Sequence, residues 1–288
     1  GDGITPCYVE IKEWSTATRT AYLWVRVPRI DPGLDTHLYL YYDPLHAEMT
    51  DYVGDTASET AWNVWDNGWE FVGIKPSGGL LLDSTRNQNH GTIYGATVTQ
   101  GPLGACLSFD GVDDRVEVAD DDVLDFDDSG ALTATVMCHT RSRPARDWAN
   151  ILAKGDYDNY GISIHSSNYI RNVVATTGGS RDGLAHGGDY VGSDHVLSIT
   201  AVSGGALVSY VNGAAMSQVI LPAGALKNTA HPLRLGFDKA SNYYDGTIFF
   251  AAVSSVARSP AWIAATNLSL RDELIVYSDP GAPLTLAA

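Results

Sequence analysis

Aspartate and asparagine supply most of the side chains in this sequence that could do chemistry. Glycoside hydrolysis needs two carboxylates facing each other across a cleft, one as acid and one as nucleophile or base. Glutamate is sparse, at Glu10, Glu13, Glu48, Glu59, Glu70, Glu117 and Glu273. Asp113, Asp114 and Glu117 are the nearest approach to a catalytic pair, and they fall in a stretch that already reads as a turn. No Gly-x-Ser-x-Gly elbow is present, which counts against one serine-hydrolase architecture. His90, His139, His165, His186, His195 and His231 are scattered, with no His-Glu-x-x-His or Cys-x-x-Cys spacing to gather zinc. The expectation is a protein that is not an enzyme.

Binding chemistry is better represented. Calcium takes six to eight oxygens and tolerates loop geometry. Asp83, Asn87 and Asn89 offer side-chain oxygens around one loop, so they are the candidate calcium ligands. The same residues can cap their own backbone in Asx turns. Asp120, Asp121, Asp122, Asp125, Asp127 and Asp128 form a denser acidic run without EF-hand spacing, which fits a solvated charge run. Sugar recognition needs aromatic faces beside planar polar groups. Asp156, Tyr157, Asn159 and Tyr160 have that composition, as do Asn242, Tyr243 and Tyr244, and Arg181 with Asp182 can join them. The competing reading has these rings packing sheet edges.

The elements that must position these groups are strands. Leu107-Ser108-Phe109 and Val116-Glu117-Val118 alternate apolar and polar residues around Asp110-Gly111-Val112-Asp113-Asp114, which predicts a hairpin with one buried face. Asn212-Gly213 is a type I′ hairpin signal between two further strand-like runs. Ser259-Pro260 predicts the cap and first turn of one short helix. Helical periodicity is otherwise scarce, so the fold class is all-β.

The net charge of −16 over 288 residues argues against nucleic acid as a partner, since phosphate binding needs a basic face. No stretch is long and apolar enough to insert in a membrane as a helix. Cys7, Cys106 and Cys138 are odd in number, which excludes a fully paired set. Cys106 and Cys138 lie in apolar strand-like runs and read as buried thiols, with a bridge between them open if their strands are neighbours.

The run Leu80-Leu81-Leu82-Asp83-Ser84-Thr85-Arg86-Asn87-Gln88-Asn89-His90-Gly91, followed by Phe109-Asp110-Gly111-Val112-Asp113-Asp114-Arg115-Val116, resembles the laminin-G-type family of concanavalin A-like jelly rolls. Trp24-Val25-Arg26-Val27-Pro28, Leu38-Tyr39-Leu40-Tyr41-Tyr42 and Asn63-Val64-Trp65-Asp66 resemble an uncharacterised β domain that precedes such modules in prokaryotic and viral surface proteins. That domain usually has more chain before this point, so an upstream portion is expected.

The resemblance implies a small N-terminal β domain over residues 1–77 and a concanavalin A-like jelly-roll sandwich over 78–288. Three departures stand out. Phe249-Phe250 follows Gly246-Thr247-Ile248 where relatives carry Asp-Glu, Met137 replaces a Trp, and Val72-Gly73-Ile74 replaces a Trp-His strand. The first weakens any calcium site carried over from relatives. Hydrolases of the superfamily place their carboxylates on one strand as Glu-x-Asp-x-x-Glu or similar, and no such run occurs.

The functional expectation is a recognition or adhesion module at an extracellular, cell or virion surface, with a glycan or another surface polymer as ligand. The alternatives are a structural part of a virion fibre, capsid appendage or cell-surface layer that acts by protein–protein assembly, and a divergent glycoside hydrolase. Homo-oligomerisation stays open.

Overall fold

The computed structural model describes the chain except residues 1–4, 31–35, 41–44, 46, 146, 156–158, 187, 238–241, 277–283 and 287–288. Three sheets account for most of it. In the small N-terminal sheet Val9–Ser15 lies between Thr20–Val25, antiparallel, and Val53–Asp55, parallel. A second small sheet joins His37–Leu38 to Leu284–Leu286 and Ile275–Val276, so the last strand pairs with an early one.

The large sheet folds over itself as a jelly roll. Its first layer runs Gly179–Ala185, Ile170–Thr176, Tyr160–His165, Trp148–Lys154, Leu233–Leu235, Arg115–Val118, Gly91–Tyr94, Leu80–Asp83. Its second layer runs Asp245–Ser254, Ala131–Thr140, Asp194–Val202, Ala206–Val211, Ala214–Ile220, and Gly104–Asp110 pairs with Asp245–Ser254 on the other side. The strand Trp69–Ser77 crosses between them. Its first half pairs with Asp245–Ser254 and its second with Leu80–Asp83. The crossing falls at Gly73, where an added Cβ would lie 2.7 Å from Phe71 and 2.8 Å from Leu81, so the tight bend excludes a side chain. Trp69–Ser77 is thus part of the large sheet.

Alternation fills the space between the layers. Val116, Val118, Leu132, Ala134, Val136, Leu152, Ile162, Ile164, Leu233 and Leu235 meet in one fully buried core. A second core lies where the jelly roll meets the small sheet. It joins Val72, Ile74, Met137, Phe249, Phe250 and Trp65, with Trp24 packed against it. This explains the sequence departures: Trp24 stacks 5.6 Å from Phe250, so the outward face of Asp245–Ser254 is covered here and carries rings instead of an acidic pair.

Two expected connections turn out differently. Gly104–Asp110 and Arg115–Val118 form no ladder with each other. They pair in opposite layers, and Asp110–Asp114 arches between them, held by Asp110 N–H to Asp114 Oδ2 at 2.9 Å and Val112 N–H to Asp110 Oδ1 at 2.8 Å. Cys106 and Cys138 are buried and unbridged, because the Asp245–Ser254 strand runs between theirs. Burial pushes the Cys106 thiol up to about 11 and the Cys138 thiol up to about 12. The Asn212-Gly213 turn forms as expected, with both residues at positive φ, 50° and 79°. So does the Pro260–Leu270 helix, whose Ser259 Oγ accepts from Trp262 N–H.

Candidate functional site: an aromatic rim on the first layer

Three of the residues that the sequence marks as sugar-binding, Asn159, Tyr160 and Tyr244, are buried. Tyr160 and Tyr244 are core residues, 1% and 0% exposed. The Tyr160 hydroxyl donates to Leu124 O at 3.1 Å, and its ring packs 5.4 Å from Phe126. Tyr244 shares a hydrogen bond with Thr140 Oγ1 at 3.1 Å and sits edge-on to Phe109. Asn159 is buried, its Nδ2 donating to Asp125 Oδ1 at 2.8 Å. None of these three presents a face to a ligand. Asp156 and Tyr157 lie outside the described residues. Arg181 and Asp182 are exposed, Asn242 and Tyr243 half-buried.

The candidate calcium loop is closed on itself. Asp83 Oδ1 accepts from Val72 N–H and Thr85 N–H, both at 3.0 Å. Its Oδ2 accepts from the Thr85 hydroxyl and from Asn89 N–H, both at 2.9 Å. Asn87 Nδ2 donates to Glu70 rather than turning toward Asp83. Burial raises the Asp83 carboxyl, and four donors from the protein hold the oxygens a cation would need. These residues do not fit a calcium ion. The only cluster of three potential metal-binding side chains among the described residues is Asp110, Asp113 and Asp114, with ligand atoms within 4.8 Å of one another.

What the structure does assemble is a row of rings and guanidinium groups. Seven neighbouring strands of the first layer each place one at the same end. His186 follows Gly179–Ala185, Tyr169 precedes Ile170–Thr176, His165 ends Tyr160–His165 and Trp148 begins Trp148–Lys154. Phe237 then follows Leu233–Leu235, Arg115 begins Arg115–Val118 and Tyr94 ends Gly91–Tyr94. At the usual strand spacing the row is about 29 Å long.

Ring contacts bind each half of it together. Trp148 and His165 centroids are 4.3 Å apart, His165 and Tyr169 4.5 Å, Tyr169 and His186 4.5 Å. Arg171 lies 4.9 Å over Trp148 and is held by both Asp182 oxygens, from Nε and Nη2 at 3.0 Å each. In the other half Arg115 lies 4.2 Å over Tyr94, Arg234 5.5 Å from the Phe237 ring, and Tyr243 4.8 Å from Phe237. Glu117 is pinned between Arg115 and Arg234, at 3.1 and 3.6 Å. Both guanidinium groups thus occupy the Glu117 carboxylate and hold it against the sheet. Asp182 and Tyr243 thus belong near this rim, Arg181 lies farther along its strand opposite Val174, and Trp148, His165, Tyr169, His186, Arg115 and Phe237 were missed. Each sits at a strand boundary, and only the pairing order brings them into line.

One nucleophile-like grouping also resolves. Ser193 Oγ lies 3.0 Å from His195 Nε2, and Asn212 Nδ2 lies 3.3 Å from His195 Nδ1. Val196 N–H donates to Asn212 Oδ1, which fixes that amide with Nδ2 toward the imidazole. Nδ1 therefore accepts, and the ring proton sits on Nε2, within 3.1 Å of Asp189 O. With its proton facing Ser193 the ring cannot act as that hydroxyl's base. Burial lowers the His195 pKa, which keeps it in this neutral form.

Residues 110–264, more than half the chain, match the Laminin_G_3 family of the concanavalin A-like lectin/glucanase superfamily, and the chain belongs to it. The binding domain of Paraclostridial Mosquitocidal Protein 1 is similar in structure, with a TM-score of 0.61 at 11% identity, over 73% of this chain and 54% of that one. The binding domain of botulinum neurotoxin DC, solved in complex with SialylT, gives 0.58 at 12% identity over 73% and 53%. The same domain in complex with rat synaptotagmin II gives 0.58 at 13% over 73% and 54%. The chain spans about half the length of these relatives, and likeness at such identity shows the fold. A comparison with curated proteins finds no sequence match.

Proposed function

We propose that this chain is a non-catalytic recognition module that binds an extended glycan or other surface polymer along the rim. The observation that carries this is the placing of rings and guanidinium groups, in two contacting clusters, at one end of seven adjacent strands. Stacked rings give flat apolar faces for sugar rings, and flanking Arg, Glu and Asp groups give hydrogen bonds at fixed angles. The groups are already ordered by their own contacts, so little entropy is lost on binding. The relatives named above are binding domains, which agrees with recognition rather than turnover. Such a module works at an extracellular, cell or virion surface.

A glycan array followed by calorimetry on the intact chain tests this. The expected result is binding to chains of several sugars that weakens more than about tenfold in Trp148→Ala, as for a stacked aromatic hot spot, and is partly restored by Trp148→Phe. One specific observation favours assembly instead. The strand Thr97–Gly101 pairs only with Gly104–Asp110, and Val98 is 59% exposed on it, leaving an open sheet edge among the described residues. A silent array together with ordered multimers by light scattering replaces recognition of a polymer with assembly.

A further inference from the structure

A second concave site lies at the junction of the small sheet and the jelly roll. A groove of about 380 Å³ is lined by Trp62, Trp65, Trp69, Asp66, Glu70, Arg86 and Asn87. Its walls are fixed from behind. Trp65 Nε1 donates to Glu10 Oε2 at 2.5 Å, and Glu10, fully buried, also accepts from Ser84 Oγ at 2.7 Å. Arg258, itself buried, lies 5.1 Å over the Trp69 ring, and its guanidinium is anchored on Asn67 O and Ser254 Oγ. Asn87 Nδ2 donates to Glu70 Oε2 at 3.0 Å, and Ser255 Oγ donates to Glu70 Oε1 at 2.7 Å.

Some wall groups remain unused. Arg86 is exposed and makes no hydrogen bond or ion pair among the described residues. Asn87 spends its Nδ2 on Glu70 and keeps Oδ1 open. Asp66 is already paired with Arg26 at 2.6 Å. A free donor, Arg86, and a free acceptor, Asn87 Oδ1, therefore sit side by side, with Glu70 and Arg86 of opposite charge in one groove.

We propose that this groove binds one neutral hexopyranose ring. Sugar hydroxyls donate and accept at once, which matches a mixed lining better than a carboxylate or an ammonium does. The volume is at the lower end for small-molecule sites, enough for one ring and its immediate substituents. This site does not rest on the rim, whose residues are all different.

The test uses three neutral probes, methyl α-D-glucopyranoside, methyl α-D-mannopyranoside and methyl β-D-galactopyranoside, with the methyl glycoside of N-acetylneuraminic acid as anionic control. Binding is read by saturation-transfer NMR and indole fluorescence on the intact chain. At least one neutral probe is expected to bind with a Kd of about 1 mM and to shift the indole emission. Arg86→Ala, which removes no internal contact and should melt like the native protein, weakens that binding about tenfold. Trp148→Ala leaves it unchanged. No binding of any neutral probe at about 50 mM, binding of the anionic sugar alone, or binding indifferent to Arg86→Ala overturns the proposal. Binding lost in Trp148→Ala but kept in Arg86→Ala moves the sugar to the rim and overturns the groove alone.

Discussion

Two acidic stretches of this chain do opposite things with the same side chain. In the run from Asp120 to Asp128 two of the carboxylates, Asp120 and Asp125, hold a cation that the protein supplies. Lys154 is fully buried; its ammonium donates to Asp120, to Thr229 O at 3.0 Å and to His231 O at 2.9 Å, and lies 3.3 Å from Asp125. In the arch from Asp110 to Asp114 three carboxylates gather with no cationic side chain paired to them among the described residues. Asp114 is raised by burial first, with the charges of Asp110 and Asp113 adding to it. Sequence density of Asp is thus no guide to ion binding. The deciding residue comes from a distant strand. The largest expected effect follows. Lys154→Met keeps the volume but strands Asp125, and should cost about 3–5 kcal/mol in urea unfolding. The double variant with Asp125→Asn should recover much of it. A loss under about 1 kcal/mol would show that the acidic run does not need its internal cation, and the contrast between the two stretches would collapse.

The legible part of the structure was the part set by local rules. Alternation gave strand positions and buried faces, Asn212-Gly213 gave a hairpin, and Ser259-Pro260 gave the start of the helix. Alternation does not say which strand is the partner, and so Phe109–Val116 reads as a hairpin although its arms pair in opposite layers. Tyr160 and Tyr244 look like binding residues because Asn and Asp flank them. Their parity says otherwise: Tyr160 shares a face with Ile162 and Ile164, and Tyr244 with Ile248. That signal was present and outweighed by composition. The rim was not legible, since His186, Tyr169, His165 and Trp148 meet only through the order of four strands.

The same contrast recurs between two buried lysines. Lys154 contacts carboxylates, whereas Lys12, equally buried in the small sheet, donates to Leu103 O at 2.5 Å with no carboxylate in contact. Burial lowers Lys12 from 10.5 to about 8, with Glu13 and Glu10 opposing the shift from farther away. A depressed lysine binds its proton less tightly folded than unfolded. Its burial therefore penalises folding below about pH 8, and the penalty fades as pH rises from about 8 toward 10.5. The shift corresponds to about 3 kcal/mol as an upper bound. Stability measured by urea should rise over that window in the native chain, and Lys12→Met should flatten the rise. An identical slope in the variant would mean that Lys12 reaches water in the folded state, and of the two lysines Lys154 alone would count as a buried cation.

The smallest effect belongs to the open acidic arch. Asp113 is exposed and makes no hydrogen bond in the cluster, so Asp113→Asn removes one of three like charges and nothing else. In chelator it should raise stability by a few tenths of a kcal/mol, as expected for relief of surface repulsion. The gain should shrink in high salt, because exposed charges are screened. Calcium added to the native chain sharpens the result. If the arch is only a crowded turn, calcium leaves the melting temperature of native and variant alike. A rise confined to the native chain would mean that this arch takes from solution the cation that the Asp120–Asp128 run takes from Lys154.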